Sequence, residues 1–145
     1  MDGRNCKRRI DLQKIILSQS IKKILTNHAE NENPNESCAI LYGIIKNENY
    51  IVKETWLTEN IEKSPVEFTL SPEQTLKMYE KEKEMNLQII GIFHSHPNSQ
   101  AVPSSTDKKF MENNQYVWVI YSGTNMNFKA YVLETDITEI SIEEK

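Results

Sequence analysis

The chain has 145 residues, which is enough for one domain with a buried core, so no second domain is expected. Hydrophobic residues make up 38% and charged residues 26% of it, and the net charge of −4 argues against a protein that wraps a nucleic-acid backbone. No apolar run approaches the ~18 residues that span a bilayer, and no secretory signal is evident. We therefore expect no nucleic-acid and no membrane partner.

The N-terminal region indicates where the domain begins, and the cysteines indicate its compartment. A short basic cluster outside any apolar pattern indicates a solvated tail over residues 1–11, so the single domain is expected to span residues 12–145. Two cysteines, Cys6 and Cys38, are too few for a disulfide framework and favour a reducing, cytoplasmic location. The sequence leaves the role of the two cysteines and the oligomeric state open.

The first half of the chain predicts a helix followed by a β-hairpin. Either Ser18 or Ser20 can cap a helix that follows a short apolar run and ends before the polar loop at residues 31–35. Two apolar, β-branched segments separated by turn residues then predict paired strands. These strands are expected over residues 38–45 and 50–57.

A second helix has a strong predicted start. Ser71 can accept a backbone hydrogen bond at the N-cap, Pro72 suits the first helical position, and Gln74 completes a capping box. The helix is expected to end near residue 86. Its inward-facing side chains are predicted to be Leu76, Tyr79 and Met85.

The remaining elements complete a mixed α/β pattern. An apolar segment predicts a central strand, a polar loop follows it, and a short helix precedes two closing strands. These elements are predicted over residues 87–93, 105–113, 116–121 and 128–133. The order of elements indicates an α/β domain in which helices cover a sheet.

Two histidines at the end of the central strand suggest a metal site. His94 and His96 are two residues apart on extended chain, so both rings point the same way, and Pro97 ends the strand and starts a loop. This loop allows Asp107 to return to the same point, giving two imidazoles and a carboxylate as Zn²⁺ ligands with a fourth position for water. The third histidine, His28, is expected near the surface at the C-terminal end of the first helix.

Hydrolysis requires a proton acceptor and an oxyanion donor besides the metal. Zinc lowers the pKa of its water to around 7, and a nearby carboxylate must accept the proton and pass it to the leaving amine. Glu36, just before the buried strand, is the candidate, and the Ser104 hydroxyl is the candidate donor. Considered singly, Glu36 could be an ordinary solvated charge and Ser104 an ordinary helix N-cap. The hypothesis of a hydrolase depends on all of these residues occurring together.

The spacing of these residues resembles the signature of the JAMM, or MPN-plus, metalloproteases. Glu36 lies upstream of His94-x-His96, seven residues, Ser104, two residues and Asp107. The resemblance covers about residues 12–135, with Ala39 in place of a common glycine as one departure. Further matches are Glu36-Ser37-Cys38-Ala39-Ile40-Leu41-Tyr42-Gly43, Gly91-Ile92-Phe93, Asn60, Ser64-Pro65 and Phe68.

The resemblance implies a fold, a cofactor and a substrate. It implies a mixed, curled β-sheet flanked by helices with cytidine-deaminase-like layering, and one Zn²⁺ held by His94, His96 and Asp107. It implies Glu36 as the general acid/base and Ser104 as a stabiliser of the tetrahedral intermediate. The chain resembles the compact prokaryotic-type members, which implies cleavage of the peptide or isopeptide bond after the C-terminal glycine of ubiquitin-like or sulfur-carrier proteins.

Two other functions remain open from the sequence. A noncatalytic MPN-type scaffold would bind a partner, although it has no need of a complete ligand set with Glu36. A zinc hydrolase for a small substrate would use the same residues. A flexible Gly-Gly tail suits a protease that acts on ubiquitin-like proteins, because the tail can lie as an extended strand against an exposed sheet edge near the metal.

Overall fold

The computed structural model describes residues 13–60 and 70–145, which form seven strands and three helices. The predicted tail over residues 1–11 and the matches at Ser64-Pro65 and Phe68 lie outside this range. The helices are α1 (Gln19–Glu32), α2 (Pro72–Met85) and α3 (Ser105–Asn113). The strands are β1 (Lys14–Ile16), β2 (Cys38–Lys46), β3 (Asn49–Thr58), β4 (Gln88–His96), β5 (Val117–Ser122), β6 (Asn127–Leu133) and β7 (Ile137–Glu143).

All seven strands belong to one sheet that curls until it closes. Their order is β1-β3-β2-β4-β5-β6-β7, and β1 pairs in parallel with both β3 and β7. The β2–β3 hairpin is antiparallel, as predicted, and β4 lies in the middle between antiparallel β2 and parallel β5. The prediction of a mixed, curled sheet with flanking helices is confirmed.

Two apolar clusters occupy the two faces of this sheet. Because successive side chains on a strand point to opposite faces, β2 divides its residues between the clusters. Ala39 and Leu41 pack with Leu25 of α1, whereas Ile40 and Tyr42 pack with residues of α2 and α3. Helix α1 therefore covers one face, and α2 and α3 cover the other. Within residues 13–60 and 70–145, no helix is long and apolar enough to cross a membrane.

The helix starts follow the predicted caps. Ser18, rather than Ser20, accepts the hydrogen bond from the Ile21 amide at the start of α1. Ser71 and Gln74 form both hydrogen bonds of the capping box at the start of α2. Helix α1 runs through residue 32, so the prediction that it ends before residue 31 is wrong. Asn31 and Glu32 continue the helix because neither residue type carries a large helix-propensity penalty.

Two predictions of burial are also wrong. His28 is buried rather than near the surface, because its ring turns inward and its Nε2 atom lies 3.0 Å from the carbonyl oxygens of both Cys38 and Thr58. Leu76 and Tyr79 are 61% and 45% exposed, and Met78 is the buried residue of α2. The helix lies on the sheet with the Met78 side inward, so the other apolar stripe faces out.

Candidate active site

The sheet presents the two histidines on the face covered by α3. His94 and His96 close strand β4 and alternate with Ser95, so their rings share a face while the Ser95 side chain points to the other. All three residues are buried, and His94 packs edge-on against Trp118 with ring centroids 5.8 Å apart. The predicted convergence of the two imidazoles follows from this strand geometry, and their Nε2 atoms lie 3.1 Å apart.

Asp107 approaches the same point from the first turn of α3. Its Oδ2 atom lies 3.0 Å from Nε2 of His94 and 3.0 Å from Nε2 of His96. The same oxygen accepts a hydrogen bond from the Ser104 amide, at 2.9 Å. The helix start therefore holds the carboxylate against both rings.

Glu36 is buried beside the two histidines, just before the β2–β3 hairpin begins. Its carboxylate and the ligand atoms of His94 and His96 all lie within 4.8 Å of one another, and Glu36 is 3% exposed. Residue 36 precedes β2 by two positions, and Cys38, the first residue of that strand, pairs with His94. A group of this composition and spacing has the geometry to hold a metal ion.

Electrostatic interactions within the cluster oppose the effect of burial. Burial lowers the pKa of His94, and the hydrogen bond to Asp107 offsets this only in part. Burial also lowers the pKa of His96, but hydrogen bonds to Asp107 and to the Gln100 carbonyl outweigh it and leave that pKa raised. Burial raises the pKa of Asp107, yet the two histidines together hold it well below its ordinary value. The carboxylate is therefore charged at neutral pH.

The orientation of His96 is fixed from behind by the loop that follows β4. Its Nδ1 atom donates to the carbonyl of Gln100 at 2.8 Å, so Nε2 donates to Asp107 in the protonated ring and keeps its lone pair for a metal ion in the neutral ring. The loop is itself anchored, because Ser122 Oγ donates to Ser99 O at 2.7 Å and Tyr131 Oη donates to Ala101 O at 2.6 Å. Strands β5 and β6 thus help to position His96, which belongs to β4.

Ser104 occupies the N-cap of α3. Its Oγ accepts a hydrogen bond from the Asp107 amide at 3.1 Å, and with the Ser104 amide bond to Asp107 this completes a capping box. The structure therefore contains the helix cap that the pattern Ser104-x-x-Asp107 predicts. A capping hydroxyl that accepts through its oxygen still carries its own proton, so the cap does not exclude donation to a substrate.

The five predicted site residues come together, and two neighbours join them that spacing alone did not reveal. Ser37, just before β2, and Ser95, within β4, face away from the histidines, and both are buried with their hydroxyl oxygens 2.9 Å apart. Their positions, one directly after Glu36 and the other between His94 and His96, are the only signal in the sequence.

Comparison with known families identifies the domain that contains these residues. Residues 18–134 match the profile of the prokaryotic homologs of the JAB domain. The chain belongs to this family. All five site residues lie inside the matched range, and the predicted JAMM/MPN resemblance is confirmed.

Named relatives of this JAB-domain protein are enzymes. It is 34% identical to a desampylase of Pyrococcus furiosus over 109 residues, 74% of each chain. It is 25% identical to a CysO-cysteine peptidase of Mycobacterium tuberculosis over 108 residues, 74% of this chain and 73% of the relative. A solution structure from Desulfitobacterium hafniense shares the fold with a TM-score of 0.80 at 24% identity, covering 92% of this chain and 93% of its own. The chain is thus a peptidase-type hydrolase, as predicted, and the scaffold alternative loses support.

Proposed function

We propose that the protein is a zinc-dependent metalloprotease that hydrolyses the peptide or isopeptide bond after the C-terminal glycine of a ubiquitin-like or sulfur-carrier protein. The observation that carries the proposal is the triangle formed by His94 Nε2, His96 Nε2 and Asp107 Oδ2, with edges of 3.0–3.1 Å and the Glu36 carboxylate beside it. We further propose that residues 12–145 are the catalytic domain and that it acts in the cytoplasm.

The triangle fits zinc in size and in chemistry. A tetrahedral zinc centre with bonds of about 2.0–2.1 Å places neighbouring ligand atoms about 3.3 Å apart. Two imidazoles and a carboxylate are a common catalytic ligand set, and three protein ligands leave one position for water or substrate. His94, His96 and Asp107 would hold the ion. Glu36 lies in the wider group, so we assign it to proton transfer instead of to the metal.

Glu36 would carry the proton during hydrolysis. When bound, zinc supplies a Lewis acid that lowers the pKa of a coordinated water to around 7. The Glu36 carboxylate accepts a proton as water attacks the carbonyl carbon of the scissile bond and then gives it to the departing nitrogen, so that one carboxylate acts first as base and then as acid. Burial of Glu36 beside two histidines excludes bulk water from this transfer.

Ser104 would assist by donating its hydroxyl proton to the oxygen that becomes negative. The residue is only half-buried, and the N-terminus of α3 adds its positive dipole end at the same place. Removal of a single oxyanion donor typically lowers kcat by about 10²–10³-fold. Ser104→Ala is expected to lower kcat without releasing the metal.

An extended Gly-Gly tail fits the surface that leads to Glu36. On β3, strand β1 covers only residues 49–51, so in the described part of the chain the outer side of β3 beyond residue 51 carries no neighbouring strand. A cavity lined by Ile24, Val52 and Thr55 opens along this side. Thr58, at the end of β3, pairs with Cys38 close to Glu36. A tail added along β3 by β-augmentation would run towards the site.

The names of the relatives support this substrate class. The name CysO-cysteine peptidase favours a single amino acid as the leaving group, whereas the name desampylase does not specify the bond. A panel that joins one ubiquitin-like protein, through Gly-Gly, to a lysine side chain, to a linear peptide and to a single cysteine would separate the bond types.

The first test compares wild type with Glu36→Gln for zinc content and for hydrolysis of this panel. We expect about one zinc per chain in both proteins and hydrolysis by wild type alone. Glu36→Gln is nearly isosteric, so the ligands stay in place and only the proton acceptor is lost. Wild type that binds no zinc would contradict the metal assignment. Zinc-loaded wild type that leaves the whole panel intact would contradict the substrate class.

A further inference from the structure

One peptide unit beside the site is held at both of its hydrogen-bonding groups by side chains from elsewhere in the fold. The carbonyl oxygen of Glu36 accepts a hydrogen bond from Nδ2 of Asn60 at 3.0 Å. The amide of Ser37, in the same peptide unit, donates to Oγ of Ser95 at 2.9 Å. Asn60 and Ser95 are 1% and 2% exposed, so neither bond competes with bulk water.

The Ser95 hydroxyl replaces a backbone acceptor at the point where β2 and β4 separate. The regular pairing of these strands ends at Cys38 and His94. At the next position the Ser95 amide still donates to Ser37 O at 3.0 Å, but the return bond goes from the Ser37 amide to the Ser95 side chain. Ser37 Oγ donates to the same hydroxyl oxygen at 2.9 Å. Three hydrogen bonds therefore connect Ser37 to the residue between His94 and His96.

A peptide unit is planar, so two opposed hydrogen bonds fix its position and its tilt. The plane between Glu36 and Ser37 is attached directly to the Cα atom of Glu36, and fixing it restricts the directions in which that side chain can leave the backbone. Side-chain alternation then sends the Glu36 carboxylate to the face of His94 and His96 and the Ser37 hydroxyl to the face of Ser95. The distance from the carboxylate to both imidazoles is thus set through the backbone.

We propose that Asn60 and Ser95 are positioning residues that hold the Glu36–Ser37 peptide unit and thereby aim the Glu36 carboxylate at the reacting water. The inference rests on the proposed role of Glu36 as proton carrier. Neither side chain touches the substrate or the metal in this assignment. Because a misplacement of about 1 Å can cost about 10²-fold in rate, losing either bond should lower turnover while the ligand triangle stays intact.

The variants for the test are Asn60→Ala, Ser95→Ala and Ser95→Thr. The threonine variant keeps the hydroxyl acceptor and serves as the conservative rescue. Tyr42→Phe is the matched control, since Tyr42 Oη donates an equally buried hydrogen bond to a backbone carbonyl, Met78 O, at 2.8 Å. Its loss should weaken the packing of α2 on β2 without releasing the Glu36–Ser37 peptide unit.

Each variant is loaded with zinc and assayed on a ubiquitin-like protein extended beyond Gly-Gly by a reporter peptide. We expect Asn60→Ala and Ser95→Ala to lower kcat by about 10–100-fold with KM within about twofold and with wild-type zinc content. Ser95→Thr should stay within about threefold of wild type, and Tyr42→Phe should keep its kcat at a temperature where it is folded. If Tyr42→Phe loses as much turnover as Ser95→Ala, the effect is general destabilisation and the proposal fails.

Two further measurements keep the test decisive. Amide hydrogen exchange on the wild-type protein should show a protected Ser37 amide, and exchange at the unprotected rate would overturn the proposal even if a variant does not fold. Glu36→Gln is assayed in parallel. If it turns over as fast as wild type, the proposed role of Glu36 fails. If it is inactive while Asn60→Ala and Ser95→Ala keep full kcat, the positioning inference alone fails.

Discussion

His28 Nε2 lies 3.0 Å from the carbonyl oxygen of Cys38, the residue that begins strand β2. The same ring nitrogen lies 3.0 Å from the carbonyl oxygen of Thr58, which pairs with Cys38 across the hairpin. A single donor from α1 thus bridges both strands two residues from Glu36. The contact connects the helix on one face of the sheet to the end of the hairpin that carries the site.

Replacing His28 should therefore destabilise the protein. His28→Ala removes the shared donor and leaves buried space, so the free energy of unfolding is expected to fall by about 1–3 kcal/mol in urea denaturation. Lys23→Ala, at an exposed position of the same helix, is the control and should change it by less than about 0.5 kcal/mol. Equal stability of the two variants would contradict the bridging role of the ring.

Asp107 combines a cap and a proposed ligand, and these roles can be separated. In Asp107→Asn the side-chain oxygen can still accept from the Ser104 amide, but the charge against both imidazoles is lost. Zinc affinity should fall by more than about 100-fold, since loss of a ligand exceeds the usual cost of losing a residue behind one. The measurement is competition with a chromophoric chelator. Ser104→Ala, which loses the cap but keeps the carboxylate, should retain zinc; a zinc-free Ser104→Ala protein would argue against this separation.

Gly123 supports the turn that follows His96. Its amide donates to His96 O at 2.9 Å, and a Cβ atom there would lie 2.7 Å from Pro97 O, closer than real Cβ contacts allow. Gly123→Ala should therefore displace the turn and weaken zinc binding by about tenfold, as do other changes behind a ligand. Gly91→Ala is the comparison, because its added Cβ would press on Val117 O within the sheet. It should lower stability and leave zinc affinity unchanged; a reversed order of the two affinities would be evidence against support of His96 by Gly123.

Cys38 is expected to be chemically inert in the native protein. It is fully buried, and burial, opposed in part by a hydrogen bond to Thr58, raises the pKa of its thiol to about 12. Because the thiolate is the nucleophile, alkylation by iodoacetamide at pH 8 should be undetectable until the protein is unfolded in guanidinium. The Cys6→Ser variant leaves Cys38 as the single thiol for this measurement. Native-state alkylation at the denatured rate would show that this thiol is accessible.

The convergence of His94, His96 and Asp107 was predictable because it follows from local periodicity. Residues two apart on a strand share a face, which fixes His94 and His96, and a serine three residues before an acidic residue starts a helix, which fixes Asp107. The bonds from Asn60 and Ser95 to the peptide after Glu36 span 24 and 58 positions in sequence. No local pattern encodes such distant pairs, so they emerge only from the folded sheet.

The errors in the fold have the same physical origin. Helix α2 carries two apolar stripes, one with Leu76 and Tyr79 and the other with Met78 and Met85, and each has helical spacing. Which stripe turns inward depends on the sheet beneath it, and the sequence of the helix alone does not contain that information. Strand β7 was missed, although alternation of Ile140 and Ile142 with polar residues is a signal that could have revealed it.

Closure of the sheet also sets the order of events during synthesis. Strand β1, which precedes every other described element, pairs with β7, which follows all of them. Synthesis proceeds from the N-terminus, so β1 cannot pair with β7 until residues 137–143 have emerged from the ribosome. Contacts of such wide sequence separation form slowly because a long loop must close first. The parallel pair that closes the ring can therefore form only after the last described strand has been synthesised.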